Sequence, residues 1–148
     1  MAIEMNNKEI IEKLSKLQNI DVNIKNYVNI IKKKTEEEEN LEEKTEISPL
    51  QIAVKENNID VVKYLLANQN IDINAKSLYL KEEDISHKHE DEKTALHCAV
   101  ENENIEIIQL LMKHKAIKVD EKNKNEKTPI ELTNNEGIKK MLSIELDQ

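Results

Sequence analysis

Residues able to do chemistry are thinly spread along this chain. His87, His89, Glu90 and Asp91 fall within one short stretch, and imidazole with carboxylate is a ligand set that suits zinc or copper. An H-x-H pair in a polar loop fixes no geometry, however, and no third ligand stands at a telling distance. A metal-dependent enzyme built on His87 and His89 is therefore the outlying reading, and a plain polar loop the simpler one. Cys98 follows His97 directly, but adjacent residues of a helix do not face one another, so Cys98 reads as a small core residue and not as a nucleophile. There is no G-x-S-x-G, no phosphate-cradling loop, and a single glycine in all. No catalytic residue, metal or cofactor is expected.

Composition points to binding through shape. The 148 residues hold no Phe and no Trp and only three Tyr, while 35% are charged. A core limited to Ile, Leu, Val and Ala must be thin and elongated, or shared between stacked units. A net charge of −8 and the absence of arginine argue against nucleic acid as the partner. A basic protein surface is the natural complement. One cysteine cannot form an internal disulfide and points to a reducing compartment. The first residues carry no signal-peptide run and nothing later approaches a membrane span. The expectation is a cytoplasmic or nuclear protein without membrane contact.

Sliding the chain on itself exposes its organisation. A shift of 51 residues lays residues 18–25 on 69–76 with six of eight positions identical, Asn23 falling on Asn74. A shift of 46 lays Ser48 and Leu50 on Thr94 and Leu96, Ala53-Val54 on Ala99-Val100, and Ile59–Val62 on Ile105–Ile108. A third copy starts at Thr128, 34 residues after Thr94. Periods of this size are the signature of a repeat array.

Each unit predicts two short helices. Ser48-Pro49-Leu50-Gln51 and Thr128-Pro129-Ile130-Glu131 offer a hydroxyl cap, a Pro at the first helical position and an amide or carboxylate at the third. Thr94-Ala95-Leu96-His97 has the same layout with histidine at the third position. Asn58 and Asn104 can cap the second helix, with Asp60 and Glu106 complementing its dipole. Leu50, Ala53, Val54, Val61, Val62, Leu65 and Leu66 form an apolar stripe that neither helix pair can hide alone.

With cap, stripe and period in hand, Thr94-Ala95-Leu96-His97-Cys98-Ala99-Val100 and Thr128-Pro129-Ile130-Glu131-Leu132 resemble the T-P-L-H-x-A-A signature of ankyrin repeats. Ile107-Ile108-Gln109-Leu110-Leu111 and Ile71-Asp72-Ile73-Asn74-Ala75 resemble that family's V-V-x-L-L and A-D-V-N-A stretches. The resemblance implies an all-α helical solenoid of three to four repeats. A truncated first repeat plus insertion would occupy 1–47, a repeat plus insertion 48–93, a repeat 94–127, and a capping repeat 128–148. The family's inter-helix glycine becomes Asn57 and then Glu103, the latter strained in a left-handed conformation, and survives as Gly137. Insertions of 17 and 12 residues enter the connectors where the family forms β-hairpin fingers. The polar run from Lys32 to Glu39 in the first is expected to be a solvated helix extension or disordered.

The resemblance also implies where a partner would lie: on finger tips and on the inner helices of the concave face. Carried over, the finger positions are Lys44, Thr45 and Ile47, then Glu90, Asp91 and Lys93, then Lys124, Asn125 and Lys127. Those of the inner helices are Lys55 and Glu56, Glu101 and Asn102, Asn135 and Glu136. It gives His97 a structural place, tying the helix start to the next finger. Leu78-Tyr79-Leu80 is the most apolar cluster outside the stripes. Tyr79 is either a partner anchor or part of a flap over the neighbouring helix ends.

The expected function is a scaffold or adaptor that grips another protein. A narrower version is an inhibitor or effector that a virus or an intracellular bacterium delivers into a host cell, a reading compatible with the Asn-, Lys- and Ile-rich composition. Self-pairing through the apolar edge around Met1, Ile3 and Met5 of the truncated first copy is a further expectation.

Overall fold

The computed structural model describes residues 23, 26–31, 42–81 and 92–146, and over 26–31, 42–46, 78–81 and 145–146 the backbone alone. Among the described residues two full helix pairs follow one another. The first is α1 (Pro49–Lys55) with α2 (Ile59–Leu66). The second is α3 (Ala95–Glu101) with α4 (Ile105–Met112). A single 3-10 turn (Pro129–Leu132) and α5 (Glu136–Leu146) complete the stack. The inner row runs α1, α3, 3-10 turn, and the outer helices α2 and α4 pack side by side.

Helices of seven or eight residues are too short to stand in water alone. Capping and burial hold them here. Ser48 and Thr94 accept the backbone N–H of Gln51 and His97, and those side chains reach back to the cap amide. Asn58 and Asn104 accept from Val61 and Ile107 at 3.2 and 3.1 Å. The apolar faces meet in one continuous core running from Leu50 and Val54 through Val62, Leu96, Val100, Ile107 and Leu111 to Ile138 and Leu142. This is the shared, aliphatic core that composition demanded, with Tyr64 packed against its edge.

Asn57 and Glu103 end the inner helices with φ of 52° and 51°. The left-handed strain expected at Glu103 is real, and two further glutamates share it: Glu92 (φ 44°) and Glu126 (φ 58°), each two residues before a capping threonine. Gly137 does not take this role. No glycine has positive φ, because the last inner helix is cut to one 3-10 turn and Thr133 is extended. Gly137 consequently lies in the first turn of α5, where Asn135 accepts its N–H at 3.0 Å.

The finger insertions contribute strands to the all-α frame. β1 (Asn26–Ile31), β2 (Glu42–Ile47) and β3 (Leu78–Lys81) form an antiparallel sheet in the order β1-β2-β3. The second insertion leaves the finger at a defined gate. The Ser77 amide donates to the Lys93 carbonyl at 2.9 Å and the Glu92 amide to the Ser77 carbonyl at 3.0 Å. In the third finger the Asn123 amide donates to the Lys127 carbonyl at 2.9 Å and the Glu126 amide to the Asn123 carbonyl at 3.0 Å. The same pair of bonds thus closes a short tip in one finger and a long insertion in the other. The run from Lys32 to Glu39 lies outside the described residues.

Candidate functional site

The frame that positions the inner face is a set of side chains bonded from one unit to the next. His97 is fully buried. Its Nδ1 accepts the Thr94 backbone N–H at 3.1 Å, and its Nε2 lies 3.1 Å from the Lys127 carbonyl oxygen. A carbonyl only accepts, so Nε2 carries the proton and the ring is the neutral tautomer. Burial holds its pKa below the ordinary histidine value, against the raising pull of the Lys127 carbonyl. The histidine therefore ties the start of α3 to the third finger, as the resemblance implied.

Gln51 does the same work one unit earlier. Its Oε1 accepts from the Ser48 amide at 2.9 Å, and its Nε2 donates to the Lys93 carbonyl. Its cap role was readable from the sequence, but the tie to the next finger was not. A second tie was missed although the 51-residue shift displays it. Asn23 donates to the Asn70 carbonyl at 2.7 Å and accepts from the Asp72 amide at 2.8 Å. Asn74, its counterpart, donates to the Ala116 carbonyl at 2.7 Å and accepts from the Lys118 amide at 2.9 Å. Each asparagine satisfies the backbone of the following unit and sets the spacing between fingers. Asn123, buried, shapes the third tip by accepting from the Asn125 and Lys127 amides.

Against this frame the expected contact residues divide. Lys55, Glu56 and Glu101 are exposed at the C-terminal ends of the inner helices. Asn102 is exposed beside them, and its Nδ2 donates to the Val54 carbonyl at 3.3 Å, tying α3 to α1. Lys93 is half-buried and pairs with Glu101 at 3.0 Å, which links a finger base to an inner-helix end. Lys124, Asn125 and Lys127 are exposed on the third finger. The β-sheet register sets Lys44 opposite Leu80 and Thr45 opposite Tyr79, so these two finger strands share one ladder.

Three expected positions are corrected. Ile47 is only 5% exposed: at the end of β2, next to the cap of α1, it is enclosed and cannot meet a partner. Asn135 and Glu136 are not on an inner helix. The shortened 3-10 turn places them at the start of α5, where Asn135 accepts from the Gly137 and Ile138 amides and Glu136 sits in the first turn, paired with Lys139 at 3.0 Å. Glu90 and Asp91 lie outside the described residues, as do His87, His89 and the edge around Met1, Ile3 and Met5.

The described face carries both signs of charge, from Lys55, Lys93, Lys124 and Lys127 to Glu56 and Glu101. Among the described residues no group of three His, Cys, Asp or Glu side chains could hold a metal ion. Cys98 is 2% exposed. No helix among the described residues is long and apolar enough to cross a membrane.

Comparison with known families agrees with this architecture. The model for ankyrin repeats in three copies matches residues 75–144, and the model for a single ankyrin repeat matches residues 46–78. A search of curated proteins returns no match. Between them the two family models run from 46 to 144, from the start of α1 into the last turn of α5, with Gln51 and His97 inside the match, and on that ground the chain belongs to the ankyrin repeat family.

Proposed function

We propose that this chain is a scaffold or adaptor that binds a partner protein along its inner face and finger tips, without chemistry of its own. Ankyrin repeats are in general protein–protein interaction modules. The observation that carries the reading here is the division of labour among side chains. Gln51, His97, Asn74 and Asn123 are consumed in holding one unit to the next or shaping a finger. The exposed Lys55, Glu56, Glu101, Asn102, Lys124, Asn125 and Lys127 line the ends of inner helices and a finger tip. Rigid, spaced inner helices with polar exposed ends make a surface whose specificity can vary without disturbing the core.

A nucleophilic role for Cys98 and His97 has little support, because both are enclosed and both ring nitrogens of His97 are committed. The partner is proposed to present a basic segment. The inner face itself is of mixed charge, so the acidic complement is the finger insertions: residues 36–46 hold seven acids against one lysine, and residues 82–92 six against one. Tyr79 belongs to the second insertion and is proposed as an aromatic anchor for that segment.

The test is affinity capture from the native cell with three forms of the chain. These are the intact chain, a chain in which residues 78–91 are replaced by Lys-Asn, the two-residue tip of the third finger, so that the Ser77–Lys93 gate can close as the Asn123–Lys127 one does, and the double variant Lys55→Glu, Glu101→Lys. A protein retained by the first and lost from either altered form supports the proposal. A protein retained equally by all three, or none retained by any, refutes it.

A further inference from the structure

One position of the repeat carries a different residue in each unit: Gln51, His97 and Glu131 all occupy the third residue of an inner helical turn. Gln51 and His97 each accept from their own cap amide and donate to the carbonyl at the base of the next finger. The amide of Gln51 does both at any pH. The imidazole of His97 does both only while neutral, since a proton on Nδ1 would point an N–H at the Thr94 N–H. We propose that His97 is an acid-sensitive latch: its protonation removes the acceptor for the Thr94 amide and leaves a charge in an enclosed site, so the ring leaves its slot, gives up the Lys127 carbonyl and loosens the third finger and the C-terminal cap, while Gln51 keeps the preceding junction closed.

The surroundings of the ring favour this outcome. Thr94 Oγ1 lies 2.8 Å from Nδ1 and 3.4 Å from the His97 backbone N–H, so a protonated Nδ1 would meet only a neutral hydroxyl that also caps the helix, and the Thr94 amide would lose its acceptor. Among the described residues no carboxylate is hydrogen-bonded to the ring. Glu101, one turn along α3, is paired with Lys93 at 3.0 Å. Glu131, on the 3-10 turn packed against α3, accepts from the Thr128 amide and hydroxyl at 2.8 and 3.0 Å. Burial opposes a proton on the ring most strongly, and the cations Lys76 and Lys93 add to it, against the Lys127 carbonyl and the Glu101 carboxylate, which favour one. An imidazolium in a fully enclosed site is costly unless paired.

The sign follows from linkage. The folded ring resists protonation more than the unfolded one, whose ordinary value is 6.5. The contribution of His97 to stability is therefore complete above pH 6.5 and falls as the pH drops through 6.5 toward the folded value. At pH 5.5, one unit below 6.5, the opened form gains at most about tenfold in population relative to neutral pH. The inference concerns the frame and holds whichever face binds the partner.

Amide hydrogen exchange on the full chain at pH 7.5 and 5.5, corrected for intrinsic rates, reads this directly. Opening of amides in residues 123–133 should rise several-fold in the parent, toward that tenfold ceiling, while amides of α1 and α2 keep their protection. His97→Gln places the side chain of Gln51 in the same slot and should abolish the pH response, with His87, His89 and His114 left in place. Equal loss of protection in parent and variant, or no loss in the parent, overturns the proposal. Should the variant fail to fold, NMR titration of the parent decides: His97 should hold the Nε2–H tautomer at neutral pH and titrate below 6.5, and titration at or above 6.5 overturns the latch.

Discussion

Removal of Asn74 tests whether the units are held in register by side chains. The Asn74→Ala variant deletes a donation to the Ala116 carbonyl at 2.7 Å and an acceptance from the Lys118 amide at 2.9 Å, both spanning two units. A net hydrogen bond contributes about 0.5–1.5 kcal/mol, and exposed groups regain water when it is lost. Two such bonds at a half-buried side chain give a cost of about 1–2 kcal/mol. With a urea m-value of about 2 kcal/mol/M, the midpoint followed by circular dichroism should fall by about 0.5–1 M. Asn74→Asp should do no better. It keeps the acceptance from Lys118 but turns a carboxylate toward the Ala116 carbonyl. Asn134→Ala, an exposed asparagine outside this ladder, is the control and should leave the midpoint unchanged. If both Asn74 variants melt with the control, the ladder is decoration and the units are held by core contacts alone.

Further outcomes follow from the same geometry. Glu103→Gly relieves a left-handed residue (φ 51°) at a strain of about 1–2 kcal/mol, offset by glycine's unfolded entropy and the lost Thr133 bond at 3.4 Å; differential calorimetry should show a net gain of up to about 1 kcal/mol. Thr94→Ala removes a buried cap and should cost about 1–2 kcal/mol in chemical denaturation. The pKa of Glu131 is held below the ordinary carboxylate value of 4.5, first by the Thr128 amide and then by its hydroxyl. Its contribution is accordingly present above pH 4.5 and lost as the pH falls through the folded value, and Glu131→Gln should flatten the stability–pH curve below 4.5 while leaving the region near 6 unchanged.

What could be read from the sequence was local or repeated. Caps such as Ser48, Asn58 and Thr94 act within four residues, and the stripe of Leu50, Val54, Val62 and Leu65 follows helical spacing, so both survive into the structure. The twelve-residue excess of the second finger sits, as read, between Ser77 and Lys93. The sheet was harder to see. Glu42–Ile47 is a poor strand former by composition, and it pairs with Asn26–Ile31 and Leu78–Lys81 through contacts distant in the chain. The last unit misled for a different reason. Its Thr128-to-Gly137 spacing equals that of the unit before it, yet the inner helix shrinks to one turn and shifts Asn135, Glu136 and Gly137 into the next element. The ties from Gln51 and Asn74 left a signal in the aligned repeats, but sequence spacing alone does not say that a side chain crosses to the neighbouring unit.

The binding face is tested most directly by photo-crosslinking from single positions. A photoreactive residue at Glu101, on the inner-helix end, and one at Gln109, exposed on outer helix α4, sample opposite sides of the second helix pair. Mass spectrometry of the partner complex should return partner peptides joined to position 101 and none joined to position 109. Crosslinks from 109 with none from 101 would contradict an inner-face gripper.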